Sequence, residues 1–100
     1  MNQQMMMKLK KMQKEMMENQ KMIEETVFTG TSGGIVTVKM TGAHVVQEVK
    51  IDSDAFDSKD DIEMIEDAIK AATNDCFKQI EKKTEEVMGG YANMGLGGLF

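Results

Sequence analysis

Lys8, Lys10, Lys11, Lys14 and Lys21 stand close together near the start of a chain whose net charge is -5. Ammonium groups gathered in this way suit one chemistry above others, the neutralisation of phosphates along a polyanion. Between Met1 and Lys21 the five lysines face two glutamates, a formal +3, which leaves -8 for the remaining residues. Arginine is absent from the sequence. Without its planar fork, bidentate reading of guanine is largely unavailable, and lysine acts as a point charge. Contact with nucleic acid is therefore expected at the backbone, with little selectivity for sequence.

Residue types that support catalysis are sparse. The single histidine, His44, begins a strand beside a turn, with no serine or cysteine at a telling spacing. The single cysteine, Cys76, falls within an apolar helical stripe, the setting of an inert buried thiol. The segment GTSGG, Gly30 to Gly34, lacks the Gly-Lys-Ser/Thr of a phosphate loop and leads into a strand, so a hairpin turn explains it. Asp52, Asp54, Asp60 and Glu63 fall at positions 1, 3, 9 and 12 of a calcium-loop spacing. Phe56 and Asp57, however, occupy the fifth and sixth positions, and the sixth requires glycine. The reading requires no metal, no cofactor and no small-molecule substrate, and it predicts no enzyme.

The lysines belong to a helix predicted from about Asn2 to Thr26. Met5, Leu9, Met12, Met16 and Ile23 recur in alternating four- and three-residue steps, with Asn19 in the place of the next apolar residue. This is a heptad seam with one polar interruption, and the lysines are expected on the positions off it. The β-branched run from Thr26 to Thr29 then turns the local preference to strand. Three strands follow, TVFTGT, IVTVKMT and HVVQEVKI, separated by SGG and GA. Val36, Val38 and Met40 are expected on one face of the second strand. Val45, Val49 and Ile51 are expected on one face of the third, with His44, Glu48 and Lys50 opposite.

The polar stretch Asp52 to Asp61 leads into a second helix, with Ser58 and Asp61 spaced as a capping box. That helix is predicted to run to about Met88, with Ile62, Ile65, Ile69, Ala72, Cys76, Ile80 and Val87 on one stripe. Lys78, Lys82 and Lys83 near its end would complement the helix dipole. Residues 1–88 form one α+β domain, and 89–100 a glycine-rich tail ending in Leu96, Leu99 and Phe100. A helix of about 28 residues is roughly 42 Å long, whereas a seven-residue strand spans about 23 Å. The sheet therefore cannot cover either helix, and a second copy of the chain is expected to bury the rest of the stripes. The anticipated packing residues, between helices or between copies, are Met5, Leu9, Met12, Met16, Ile23, Ile65 and Ile69.

No apolar run approaches the ~18 residues of a membrane span, and lysines interrupt any secretion signal. A lone cysteine excludes an intrachain disulfide framework and fits a reducing compartment, so a cytoplasmic protein is expected.

The order of these parts is itself distinctive. MQKEMMENQKMIEE leads into TVFTGTSGGIVTVKMTG; VVQEVKID and then MIEDAIKAATNDCFKQIEKKTEEVMGG follow, and the chain closes in MGLGGLF. Over essentially its whole length the chain resembles the YbaB/EbfC family of bacterial nucleoid-associated proteins. The resemblance implies three antiparallel strands flanked by helices, in a homodimer whose protruding helices look like tweezers. It implies a non-enzymatic DNA-binding protein of the nucleoid, with a role in chromosome organisation and gene regulation. By position, Lys8, Lys10, Lys11, Lys14 and Lys21 would be the DNA contacts. The alternative is a protein–protein adaptor that uses the heptad seam and the apolar tail. Salt separates the two, because phosphate binding weakens steeply with ionic strength and an apolar seam does not.

Overall fold

The computed structural model describes residues 2–57 and 59–91. It opens with helix α1, Gln3–Glu25. Its residues are good helix formers and include neither glycine nor proline. Asn2 caps it, its side-chain oxygen accepting from the Met5 N–H at 2.8 Å. At the other end Thr26 turns extended, with ψ 136°. Its N–H donates to the Ile23 and Met22 carbonyls, and its hydroxyl donates to Met22 O at 2.6 Å.

Strands β1 (Val27–Ser32), β2 (Val36–Thr41) and β3 (Val46–Ile51) form an antiparallel sheet in the order β1-β2-β3. The chain is α+β, as the sequence predicts. Gly33 and Gly34 at φ 55° and 71° make the tight β1–β2 turn, closed by the Ile35 N–H on Ser32 O at 2.9 Å. The next turn departs from expectation. His44, not Gly42, takes the left-handed conformation, at φ 65°. Gly42 serves close packing instead, because a Cβ there would strike the Ile23 carbonyl. His44 therefore lies in the turn before β3 rather than in the strand.

Helix α2, Ile62–Tyr91, lies across β1 and β2. It runs one turn farther than predicted, so Lys78, Lys82 and Lys83 precede its last turn and no basic residue occupies that turn. Its buried stripe is Ile65, Ala68, Ala72, Cys76, Ile80 and Met88, with Ile69 and Val87 partly buried and Ile62 exposed. These residues meet Phe28, Val36, Val38 and Met40 from the sheet. The approach is close at Gly30, where a Cβ would strike the Ala72 carbonyl. The free edge of β1 is blunted by α2 as well. Asp75 Oδ2 accepts from the Thr31 N–H at 3.2 Å, and Gln79 Nε2 donates to Thr29 O at 2.7 Å. The capping box expected at Ser58 lies outside the described residues.

In β3 the predicted face needs correction. Val36, Val38 and Met40 pair with Ile51, Val49 and Val46, and the register shifts between Lys39 and Met40. The bulge opposes two β3 residues to one step of β2, so Val46 rather than Val45 joins Val49 and Ile51. Directly paired residues share a face. These three side chains thus continue the core face of β2, yet all three are exposed.

Candidate nucleic-acid interface

Two blocks of residues give α1 its two halves. Met16 and Ile23 are buried, whereas Met5 and Leu9 are exposed and Met12 is half-buried. The helix thus leaves its own fold N-terminal to about Met16, and the molecule is correspondingly elongated, at 70 × 19 × 15 Å. All five lysines of α1 are exposed, and among the described residues none of them forms an ion pair. An ion pair joins Lys39 to Glu48 across the wet face of the sheet at 3.6 Å, half-exposed and of little energetic consequence.

With about 3.6 residues per turn, the lysines do not all share one face. Lys10, Lys14 and Lys21 fall within about 40° of arc, on the side opposite the Met5–Leu9–Met12–Met16–Ile23 seam. They rise over about 16 Å, close to the axial span of five base pairs at 3.4 Å each. Lys11 flanks this ladder by roughly 60–100°. Lys8 lies nearest the seam but off it, and it too is exposed, so the expectation that the lysines lie outward of the seam holds for all five. A shallow surface groove of about 430 Å³ runs along the ladder, lined by Lys10, Gln13, Lys14, Met17, Glu18 and Lys21.

Gln13, Met17 and Glu18 were not singled out from the sequence, although they sit three or four residues from the lysines and share their face. The signal was available in that spacing. Gln13 can donate to a phosphate or sugar oxygen, and Met17 presents an adaptable apolar contact. Glu18 does the opposite, subtracting one charge from the ladder and opposing a phosphate placed beside Lys14.

Residues weighed for other chemistry are separately placed. Cys76 is fully buried, with its Sγ 3.4 Å from Val38 O and 3.8 Å from Phe28 O. Burial pushes its thiol above the ordinary value, against a smaller opposite pull from the Gly30 backbone hydrogen bond. It therefore stays protonated at neutral pH and makes a poor nucleophile. The His44 ring packs against Phe77, with centroids 5.5 Å apart. Among the described residues no group of three or more His, Cys, Asp or Glu side chains could hold a metal ion, and no helix is long and apolar enough to cross a membrane.

Residues 1–96 match the model of the YbaB/EbfC DNA-binding family. The chain belongs to that family. A nucleoid-associated protein of Legionella pneumophila (strain Corby) is 47% identical over 83 residues, covering 82% of this chain and 72% of the relative. A nucleoid-associated protein of Ligilactobacillus salivarius is 40% identical over 94 residues, covering 92% of this chain and 89% of the relative. The crystal structure of an uncharacterized protein from Helicobacter pylori is similar at a TM-score of 0.61 and 26% identity, covering 78% of this chain and 90% of that one. In this member of the YbaB/EbfC family the exposed lysines Lys8, Lys10, Lys11, Lys14 and Lys21 all lie on α1, while residues 22–100 carry a net charge of -8.

Proposed function

We propose that this YbaB/EbfC family member is a homodimeric nucleoid protein that grips the DNA backbone with its two α1 helices. The observation that carries the reading is the ladder of Lys10, Lys14 and Lys21. It is exposed, without an ion pair among the described residues, and turned away from the fold that α1 packs against. Lys11 and Lys8 add charge at its margins. Point charges on a smooth helix meet phosphates and leave base edges unread, which supports architectural binding with little sequence preference. Such a protein organises the chromosome and affects transcription through DNA shape and occupancy.

The second copy is needed to cover the apolar face of β3. Val46, Val49 and Ile51 continue the buried β2 face, and Phe56 and Ile62 extend the patch around a groove at the start of α2. An exposed apolar surface of this kind, at one side of a three-stranded sheet, favours association. Two chains joined there would carry both α1 arms, doubling the phosphate contacts on one duplex. Light scattering at micromolar concentration is expected to give the mass of a dimer, and Val49→Asp the mass of a folded monomer. A monomeric native chain would overturn the assembly.

Anisotropy titration of unrelated labelled duplexes tests DNA binding itself. Similar affinities for each duplex are expected, with a log–log salt slope of roughly -0.9 per phosphate engaged. Absence of binding at low salt would overturn the reading. A salt-independent affinity would point instead to apolar contact with a protein.

A further inference from the structure

The two edges of the sheet are finished differently. Along β1 the outward backbone groups are met from α2, where Asp75 accepts from the Thr31 N–H and Gln79 donates to Thr29 O. Backbone direction alternates along an antiparallel strand. The Asp52 N–H donates to Ile35 O at 2.8 Å, so Lys50 and Glu48, paired with Thr37 and Lys39, likewise turn their backbone toward β2. Val49 and Ile51 therefore turn theirs to the open edge, where no group among the described residues bonds them. β3 is exposed throughout and contains no proline. Such an edge is a template for another strand.

The side chains of β3 decide how a second β3 fits there. An added antiparallel strand sets outward-turned residues opposite outward-turned ones. Centred on Lys50, two copies of β3 would set Lys50 on Lys50 and Glu48 on Asp52. Centred on Glu48, they would set Glu48 on Glu48. Like charges directly opposite oppose both alignments. A centre at Ile51 runs Val49 onto Ser53, already in the turn Ser53–Ala55, and one at Gln47 falls in the bulge. Centred on Val49, the two valines meet on the apolar face, and Glu48 of each copy faces Lys50 of the other on the wet face. Lys50 has no ion pair among the described residues, so its charge is available for that contact.

We infer that two copies join edge to edge through β3, antiparallel and centred on Val49, so that their two three-stranded sheets become one. The opposed Val49 residues exchange two hydrogen bonds across the two-fold axis. Paired residues share a face, so both apolar faces lie on the same side of the joined sheet. Val49 and Ile51 of both copies then form one strip, continued by Phe56 and Ile62. The pairing rests on the dimer proposed above and states how its chains meet.

Cysteine cross-linking in the full-length chain reads the register directly. Opposed Cα atoms in a hydrogen-bonded pair lie about 5.5 Å apart, within disulfide reach. Val49→Cys, oxidised with diamide, is expected to run mainly as a covalent dimer on a non-reducing gel. Ile51→Cys should stay uncrosslinked, since its two copies would sit roughly 13 Å apart along the strands. The unsubstituted chain should too, because Cys76 is fully buried. Lys50→Glu turns both cross-strand pairs into repulsions and should raise the dimer dissociation constant roughly tenfold. Mixing that variant with Glu48→Lys should recover the association, because each chain then offers what the other lacks. A dimer that cross-links at Ile51 and not at Val49, or at neither, would overturn the edge pairing and leave the dimer standing. So would an unchanged dissociation constant for Lys50→Glu. A monomeric native chain would overturn the dimer and the pairing together.

Discussion

The two halves of α1 share one apolar seam and differ in what they touch. From Met16 to Glu25 the helix is anchored: Met16 and Ile23 are buried, and the backbone at Ile23 is approached so closely that Gly42 can carry no side chain. From Gln3 to Glu15 the same seam continues among four of the five lysines and is exposed nearly throughout. A heptad seam therefore specifies which side of a helix is apolar, and not whether a partner is present along its whole length. The same division allows the helix to serve both as core and as arm, with the lysine ladder running from Lys10 in the exposed half to Lys21 in the anchored one.

The largest expected contrast is in stability. Met16→Ala should cost about 2–5 kcal/mol by urea denaturation, since it empties a buried site between α1 and α2. Met5→Ala, the same change in the exposed half, should fall within about 0.5 kcal/mol. Equal losses at the two positions would erase the distinction and imply that the arm is as deeply packed as the anchor.

A second contrast separates the two sides of the helix. Replacing Lys10, Lys14 and Lys21 with Gln should leave the unfolding midpoint nearly unchanged, because all three are exposed and lack ion pairs among the described residues. DNA affinity should fall roughly tenfold or more, and the salt slope should become shallower by about 2.7, from three phosphate contacts at about 0.9 each. Lys8→Gln should do less, since Lys8 stands beside the seam. If Lys8→Gln matches the effect of removing the ladder, DNA approaches the opposite side of α1. Glu18→Gln sharpens the same test, because removing the acid from the ladder's groove should strengthen binding.

How far the sequence could be read follows the range of the interactions involved. The ends of α1 were legible to within a residue because Asn2 and Thr26 act locally, through bonds to Met5 and Met22. The β1–β2 turn was legible for the same reason, in its pair of glycines. The face of β3 was not. Alternation through Val45, Val49 and Ile51 assumes an unbroken pleat, and the bulge that brings in Val46 arises from pairing with β2. Gly42 does lie in the β2–β3 turn, but the reason for a glycine there was not legible, because the Ile23 carbonyl that excludes a side chain lies on another element. For the interface, residue type found the lysines, but helical phase decides their grouping: Lys10, Lys14 and Lys21 together, Lys8 apart. Phase also brings in Gln13, Met17 and Glu18, which charge alone does not suggest.

The smallest expected effect lies at the tip of the arm, and it separates local from global stability. Asn2 satisfies the Met5 N–H, one of the otherwise unpaired donors at the helix start. Asn2→Ala should remove about 1 kcal/mol of capping. In the anchored half a loss of that size would lower the unfolding midpoint, because packing ties that half to the core. In the exposed half the first turns can fray without disturbing Met16, so the midpoint should hold while the amides from Met5 to Leu9 exchange roughly fivefold faster. A midpoint that falls with the cap would mean that the arm unfolds together with the domain, as a single cooperative unit. The exposed lysines would then ride on a helix as rigid as the core, and the contrast between its halves would be one of surface alone.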